Sequence, residues 1–548
     1  MIRITELSLP WGDPTDTRTQ DALRRAILQR LKIEARELVS FTVFKRSHDA
    51  RRKDREITFV YIVDVEVHNE HQVLAKHGDD RHIAVAPDTS FRPPPRAAQN
   101  ADNRPIVVGF GPCGVFAALV LAQQGYRPIV LERGRDVRQR TQDTWGLWRK
   151  RILTTESNVQ FGEGGAGLFS DGKLYSQIKD PRYLGRQVMR EFVRAGAPPE
   201  IMYVSKPHIG TFRLTGVVAK LRNEIIELGG EIRFESKVVD LVIEEGAMRG
   251  VLLDNDEFIA SRHVVLALGH SSRDTFRMLE HRKVFMEPKP FAIGFRIEHP
   301  QSLIDRARLG RFAGHPAIGA ADYKLVHHAD NGRSVYSFCM CPGGTVVAAT
   351  SEAERVVTNG MSQYSRNERN ANAGIVVGID PAKDFPGGPL AGIALQERLE
   401  SLAFALGGRD YSAPAQLVGD FIAGRPSISL GEVEPSYKPG IKLTDLAPLL
   451  PDDAIEAMRE ALPVFGRQIR GFDREDAVLT GIESRTSSPL RITRDATTLQ
   501  SLNLQGLYPG GEGAGYAGGI LSAGIDGIKL AEAVATSISG QTIQRALA

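Results

Sequence analysis

Apolar and polar residues alternate over Ile2–Leu9, the period-two signature of a half-buried strand. Over Asp21–Leu31 the period changes. Ala22, Leu23, Ala26, Ile27 and Leu31 recur at helical spacing, with Arg24, Arg25 and Arg30 on the opposite side. Val39–Phe44 and Ile57–Val67 are rich in Val, Ile, Phe and Tyr and read as two further strands. This β-α-β-β order predicts a small α+β domain over residues 1–85. A proline-rich polar stretch, residues 86–103, reads as an exposed linker.

Beyond the linker the pattern is that of a buried parallel sheet. Ile106–Val108 and Pro128–Leu131 are short apolar runs on either side of a helix pattern, Val115–Gln124. Ile232–Ile243 and Gly250–Asp254 read as a strand and a β-meander, and Leu521–Ala535 as an apolar helix. Alternating segments such as Phe291–Glu298 and Val335–Cys339 fill the stretch between. The chain is therefore expected to be α/β: a Rossmann-type parallel-sheet domain with an inserted, mainly antiparallel domain and a small N-terminal α+β domain. The expected boundaries are 104–283 for the first part of the parallel-sheet domain, 284–476 for the insertion and 477–548 for the second part.

Size and composition add limits. A chain of 548 residues exceeds one ordinary core. The net charge of +3 leaves any basic surface local. Three cysteines in a chain of this size exclude a disulfide framework and fit a reducing compartment. The N-terminal residues lack a signal-peptide pattern, and no apolar run of about 18 residues offers a membrane span. A cytoplasmic protein is expected. Six Lys/Arg lie between Lys45 and Arg55, reading as a solvated hairpin loop or an anion-binding loop. No aromatic residue interleaves them, which argues against a nucleic-acid partner.

The richest chemical signal is Gly109-Phe110-Gly111-Pro112-Cys113-Gly114, between strand and helix. Gly109 permits the tight turn, Gly111 allows close approach to a pyrophosphate, and Gly114 lets helix and strand pack closely. The helix N-terminus offers free N–H groups to phosphates. Glu132, ending the second strand beside Arg133, is placed to accept from ribose hydroxyls and disfavours a 2′-phosphate.

Three later segments favour FAD over NAD. Gly510–Ile520 delivers an acid, Glu512, directly after Gly511, and then passes Gly513, Gly518 and Gly519 into a helix at Ile520. It resembles the second flavin motif of the glutathione-reductase and p-hydroxybenzoate-hydroxylase superfamily. There the acid binds the ribityl chain and the helix points its positive end at the flavin. His263–Gly269 resembles that superfamily's strand ending in an Ala-Thr-Gly turn, with Leu268 at the Thr position. Phe161–Leu174 is a glycine-rich loop containing Gly164 and Gly165, which the resemblance lays along the cofactor.

With Lys206–Thr211 and Phe338–Gly344, these motifs resemble, over nearly the whole chain, the bacterial family of uncharacterised FAD-dependent dehydrogenases, or FAD-dependent proteins. The resemblance implies FAD held by Gly109, Gly111, Pro112, Gly114, Glu132, Arg133, Gly164, Gly165, Val238, Gly269, Gly511, Glu512, Gly518, Gly519 and Ile520. It implies hydride transfer between flavin N5 and a small-molecule substrate beneath the inserted domain. No second dinucleotide fingerprint is present, so NAD(P)H would dock transiently.

Ser337–Val347 reads as strand, turn, strand and resembles the aromatic-Pro-Gly strand of the geranylgeranyl-reductase branch. Cys339 and Cys341 are expected on one face, toward the pocket. Such a pair suits redox chemistry, a poor metal half-site or packing, and two thiols alone make no closed zinc site. His208 and His270 are acid/base candidates, and Lys173 a candidate for stabilising a flavin anion or binding an acidic substrate. Arg485 and Arg491 suit either a carboxylate ligand or the domain interface. A second reading is a flavoprotein that holds nucleic acid or a protein partner through the basic N-terminal loop.

Overall fold

The computed structural model describes residues 1–10, 15–49, 58–98, 103–316 and 318–540. Ala50–Arg55, most of the basic loop, lies outside the described residues.

The apolar runs assemble a five-stranded parallel sheet. Its order is Leu507–Pro509, Val264–Leu266, Ile106–Val108, Ile129–Leu131, Glu231–Arg233. The first three of these strands and Ile129–Leu131 are buried along their length, as expected for strands covered on both faces. One strand comes from the far end of the chain, so the sheet closes only after the insertion has been made. Helix Pro112–Gln123 is apolar all round because it lies inside: ten of its twelve residues are buried. Against it packs helix Ile520–Ser539, so closely that a Cβ at Gly527 would overlap the Cys113 carbonyl oxygen. The meander is Val238–Glu244, Ala247–Leu253 and Phe258–Ala260, antiparallel throughout.

The insertion forms an eight-stranded sheet, antiparallel except where Ala413–Leu417 pairs with Ile441–Leu443. Val478–Glu483 belongs to this sheet, between Phe291–Pro300 and Ala413–Leu417. The boundary expected at residue 477 therefore falls one strand too early. The strand is buried on both faces and has no local mark that separates one sheet from the other.

The N-terminal unit is a four-stranded antiparallel sheet, ordered Leu38–Asp49, Thr58–Val67, Ile2–Leu9, Ile83–Val85, with helices Thr17–Leu31 and Glu70–Lys76. The last helix and strand extend the expected β-α-β-β order. The unit has its own apolar core, including Ile4, Leu23, Ile27, Tyr61 and Val63. It docks through the backbone of Arg46, which donates to Tyr203 O (2.6 Å) and accepts from Ser205 N (2.9 Å). Arg3 and Arg186 both lie over the Phe44 ring, at 3.6 and 4.3 Å. Among the described residues no helix is long and apolar enough to cross a membrane.

Candidate functional site

The parallel sheet, the two apolar helices and the inserted sheet enclose one cavity of about 800 Å³, a size suited to a cofactor and small ligand. Its first wall is the glycine turn. Gly109 has φ +98°, and a side chain there would meet Ala267 O at 2.6 Å. A Cβ at Gly114 would overlap the Gly109 carbonyl, so Gly114 serves helix–strand packing and does not itself line the cavity. No side chain caps the first turn of helix Pro112–Gln123, and Pro112 has no N–H to satisfy. The remaining first-turn N–H groups are available to a ligand.

Glu132 is buried at the cavity edge. Its carboxylate accepts from Phe110 N (2.8 Å), Gly134 N (2.9 Å) and Gly162 N (2.9 Å), tying three stretches of backbone together. Arg133 bonds Asp274 through both terminal nitrogens (2.8 and 2.9 Å) and Glu156 at 2.7 Å, and lies 4.1 Å over the Phe161 ring.

The glycine-rich loop is braced from within. Arg140, fully buried, donates to the carbonyls of Asn158, Val159, Gly162 and Glu163 at 2.6–3.2 Å. Burial holds its guanidinium down at about 10, against the pull of Glu132 and Glu163. The loop's Gly165 lines the cavity, while Gly164 packs behind it against Leu168 and Val218.

The opposite wall is the C-terminal motif. Gly518, Gly519 and Gly269 face open space: nothing lies within 4 Å of where their side chains would begin. Gly519 precedes helix Ile520–Ser539 and no side chain caps it. Gly511 packs on Cys113 and is off the cavity wall, whereas Glu512 and Val238 are on it. Two uncapped helix N-termini and three bare glycine faces opening on one cavity fit an elongated, doubly anionic group such as a dinucleotide.

Glu512 is shielded from bulk water. Burial pushes its carboxyl up to about 7, against the pull of Lys289. The folded chain thus keeps a proton that the unfolded chain releases near pH 4.3. In flavin-stripped protein, stability is expected to fall as pH rises from about 4.5 to 7, by about 2–3 kcal/mol. Urea midpoints at pH 5 and pH 8 check this. Glu512→Gln is expected to remove the fall and to be the more stable chain at pH 8.

The inserted sheet supplies the remaining wall. Ser334–Ala348 is one continuous strand, not the expected strand–turn–strand. Gly343, at φ +42°, absorbs the Pro-Gly-Gly sequence as an irregularity within the ladder. A second irregularity lies between Phe338 and Cys341. Period-two alternation fails there, so the two cysteines part company: Cys339 is on the cavity wall and Cys341 is fully buried behind it. Lys173 is on the wall and donates to Met340 O.

The two histidines also separate. His270 lies on the wall and its ring bonds Ser271 Oγ at 3.0 Å. Burial, followed by Arg485 and Arg273, holds it at about 3, so it is neutral at physiological pH and a weak proton acceptor. His208 is not on the cavity wall. It stacks on Tyr364, ring centroids 5.2 Å apart, and bonds the Tyr364 carbonyl at 3.0 Å.

Arg485 is bound by protein carboxylates. It meets Glu400 at 2.8 and 3.0 Å and Glu352 at 3.0 Å, and donates to Ser271 and Ser351. Arg273 meets the same two carboxylates. Arg491 bonds Glu287 at 3.2 Å on the exposed surface. Sequence reasoning missed Arg140, Arg273, Glu352 and Glu400. One signal was present: Gln396 and Glu400 stand one turn apart within the apolar stripe Leu395, Leu399, Ala403 of helix Ala391–Gly407. Polar residues on a buried stripe mark a hidden partner.

The family model for the FAD-dependent protein C-terminal domain matches residues 290–486, and a domain of unknown function matches residues 1–66. An uncharacterized protein of Clostridium beijerinckii is 48% identical over 533 residues, 97% of this chain and 98% of that protein. A dual trans-enoyl reductase/FAD-dependent monooxygenase of Aspergillus terreus is 29% identical over 205 residues, 34% of this chain and 26% of that protein. Among solved structures, glycine oxidase from Bacillus cereus aligns over 80% of this chain and 96% of that chain, at 11% identity and TM-score 0.32.

Proposed function

We propose that this chain, which belongs to one family with its Clostridium beijerinckii relative and carries the FAD-dependent protein C-terminal domain, is a flavin oxidoreductase that moves hydride to or from a small-molecule substrate. The observation that carries the reading is the pair of uncapped helix N-termini, at Pro112 and Ile520, opening on one cavity whose far wall is the inserted sheet.

In this reading Gly109, Gly111, Pro112 and Gly165 admit the pyrophosphate to the first helix end. Glu132 accepts from the adenosine ribose, with Arg133, Val238 and Gly269 along the same side. Glu512 meets the ribityl hydroxyls, and Gly518, Gly519 and Ile520 present the second helix end to the flavin ring. Gly114, Gly164 and Gly511 act through packing behind that surface. Bound FAD would supply two-electron hydride chemistry at its N5 atom.

The chain's own part is to orient, shield and bias charge. The helix dipoles favour negative charge where the cofactor is richest in it. The inserted sheet covers one side of the cavity, so Lys173 and the helix end at Ile520 act on developing negative charge beside a low-dielectric wall. Met340, Phe338 and Cys339 provide the surface against which a substrate lies. NAD(P)H, lacking a fingerprint of its own, would reach this surface transiently.

The test is the visible spectrum of the purified protein, followed by anaerobic addition of NADH and NADPH and then air. Flavin bands, bleached by a reductant, are expected. Absence of flavin after reconstitution with FAD overturns the reading.

A further inference from the structure

Two of the chain's three cysteines, Cys339 and Cys341, lie on the strand that walls the cavity. Strand Ser334–Ala348 pairs Phe338 with Gly374 and Cys341 with Asn372, so three steps on one strand match two on its neighbour. The surplus residue is taken up around Cys339, which has φ +43°. The irregularity leaves Cys339 on the cavity side and Cys341 buried directly behind it. Cys341 Sγ donates to Cys339 O at 3.4 Å, which holds it one residue's reach from the Cys339 side chain.

Cations surround this pair. Arg296, fully buried, donates to Cys339 O at 3.0 Å while Glu483 holds its Nε and Nη2 at 2.7 and 2.9 Å. Lys173 donates to Met340 O, and among the described residues it has no carboxylate within ion-pair distance. An ammonium on a sheltered wall favours an anion beside it. The hydrogen bond from Cys341, then Lys173 and Arg296, hold the Cys339 thiol well below its usual range, against burial. The bond to Cys339 and burial raise Cys341 well above it. One sulfur is primed and reachable, and its partner is protonated and hidden. That asymmetry suits an attacking thiol and a resolving thiol.

We propose that Cys339 and Cys341 form a thiol–disulfide exchange site, with Cys339 the reacting sulfur on the cavity wall and a small disulfide its substrate class. The proposal rests on the reading of this wall as the substrate side of the cavity. The chemistry balances within the pair and its substrate. The Cys339 sulfur attacks one sulfur of the small disulfide, forming a mixed disulfide and releasing one thiolate. Cys341 then gives up its proton and attacks Cys339 Sγ, which expels the second thiol. One S–S bond forms as another breaks: the protein dithiol is oxidised by two electrons and the small disulfide reduced by two.

The test uses the holoprotein and oxidised glutathione as the probe. After incubation, free thiols are alkylated in acid-quenched protein and the tryptic peptide Ser334–Arg355, which holds both cysteines, is weighed. The expected peptide is lighter by two hydrogens and carries no alkyl group, and dithiothreitol restores two alkylation sites. In Cys341→Ser a glutathione adduct is expected to persist on Cys339, and Lys173→Met is expected to slow formation of that adduct. A wild-type peptide that remains alkylated at both sites, or that keeps an unresolved glutathione adduct, overturns the proposal. The visible spectrum of the same sample reads the cofactor separately. Bridging without flavin bands upholds the pair and removes the FAD reading; flavin bands with two unreacted thiols do the reverse.

Discussion

Glu400→Ala is expected to destabilise the protein by about 3–5 kcal/mol, the cost of leaving buried charge without its partner. Glu400 is completely buried and accepts five hydrogen bonds: two from Arg273, two from Arg485 and one from Ser484, at 2.7–3.0 Å. Arg273 and Arg485 are 1% and 7% exposed. Without Glu400 the carboxylate left to pair with them among the described residues is Glu352, whose side chain is 28% exposed and correspondingly screened. Glu352→Ala is therefore expected to cost far less, about 1 kcal/mol. Urea unfolding of both variants, followed by fluorescence, checks the order.

The pH dependence carries a sign. Burial opposes ionisation of Glu400, but Arg273 and Arg485 together outweigh it and hold the carboxyl well below the usual carboxylate range. A depressed folded pKa contributes stability that is present above the unfolded value, about 4.3, and lost as pH falls through the folded one. The gap between wild type and Glu400→Ala should stay level from pH 5 to 8 and narrow only in stronger acid. A gap that narrowed near neutrality would mean that the carboxylate is not the anchor of the cluster.

The second large effect is on cofactor retention. Gly165→Val is expected to weaken FAD binding by about a hundredfold or more, roughly 2.7 kcal/mol, while the chain still folds. Gly165 has φ +61° and ψ −169°, a region essentially closed to residues with a side chain. A Cβ there would stand 2.8 Å from Gly111 Cα, so the loop and the fingerprint turn would have to separate. Both line the cavity, and their separation would disturb the surface that the pyrophosphate would meet. The ratio of flavin to protein absorbance and a titration of stripped protein with FAD measure the loss. Undiminished flavin in a folded variant would place the cofactor away from this loop.

Much of this architecture is written locally. The Gly109–Gly114 turn, its flanking apolar runs and the Gly510–Ile520 motif state their conformations through residue type alone. Glycines are favoured where φ is positive and needed where another backbone passes within reach of a Cβ, and apolar runs of strand length are buried strands. The harder features depend on long-range register. Cys339 and Cys341 look equivalent in a period-two strand. They differ because one residue of the strand has no counterpart on its neighbour, and nothing local announces it.

The amino-acid sequence by itself determined the two glycine-rich turns far apart in the chain, the parallel sheet beside them, the sheet-rich insertion and the separate N-terminal unit, because each follows from spacing and backbone chemistry within a short window. The tertiary structure alone decided which polar groups reach the cavity. It set His208 on Tyr364, closed Arg485 onto Glu400, moved Val478–Glu483 into the inserted sheet and left Lys173 beside Cys339. These choices join residues far apart in the chain. Burying a charge or a thiol is stable only against partners that the folded chain brings to it, and no single segment contains both sides of that balance.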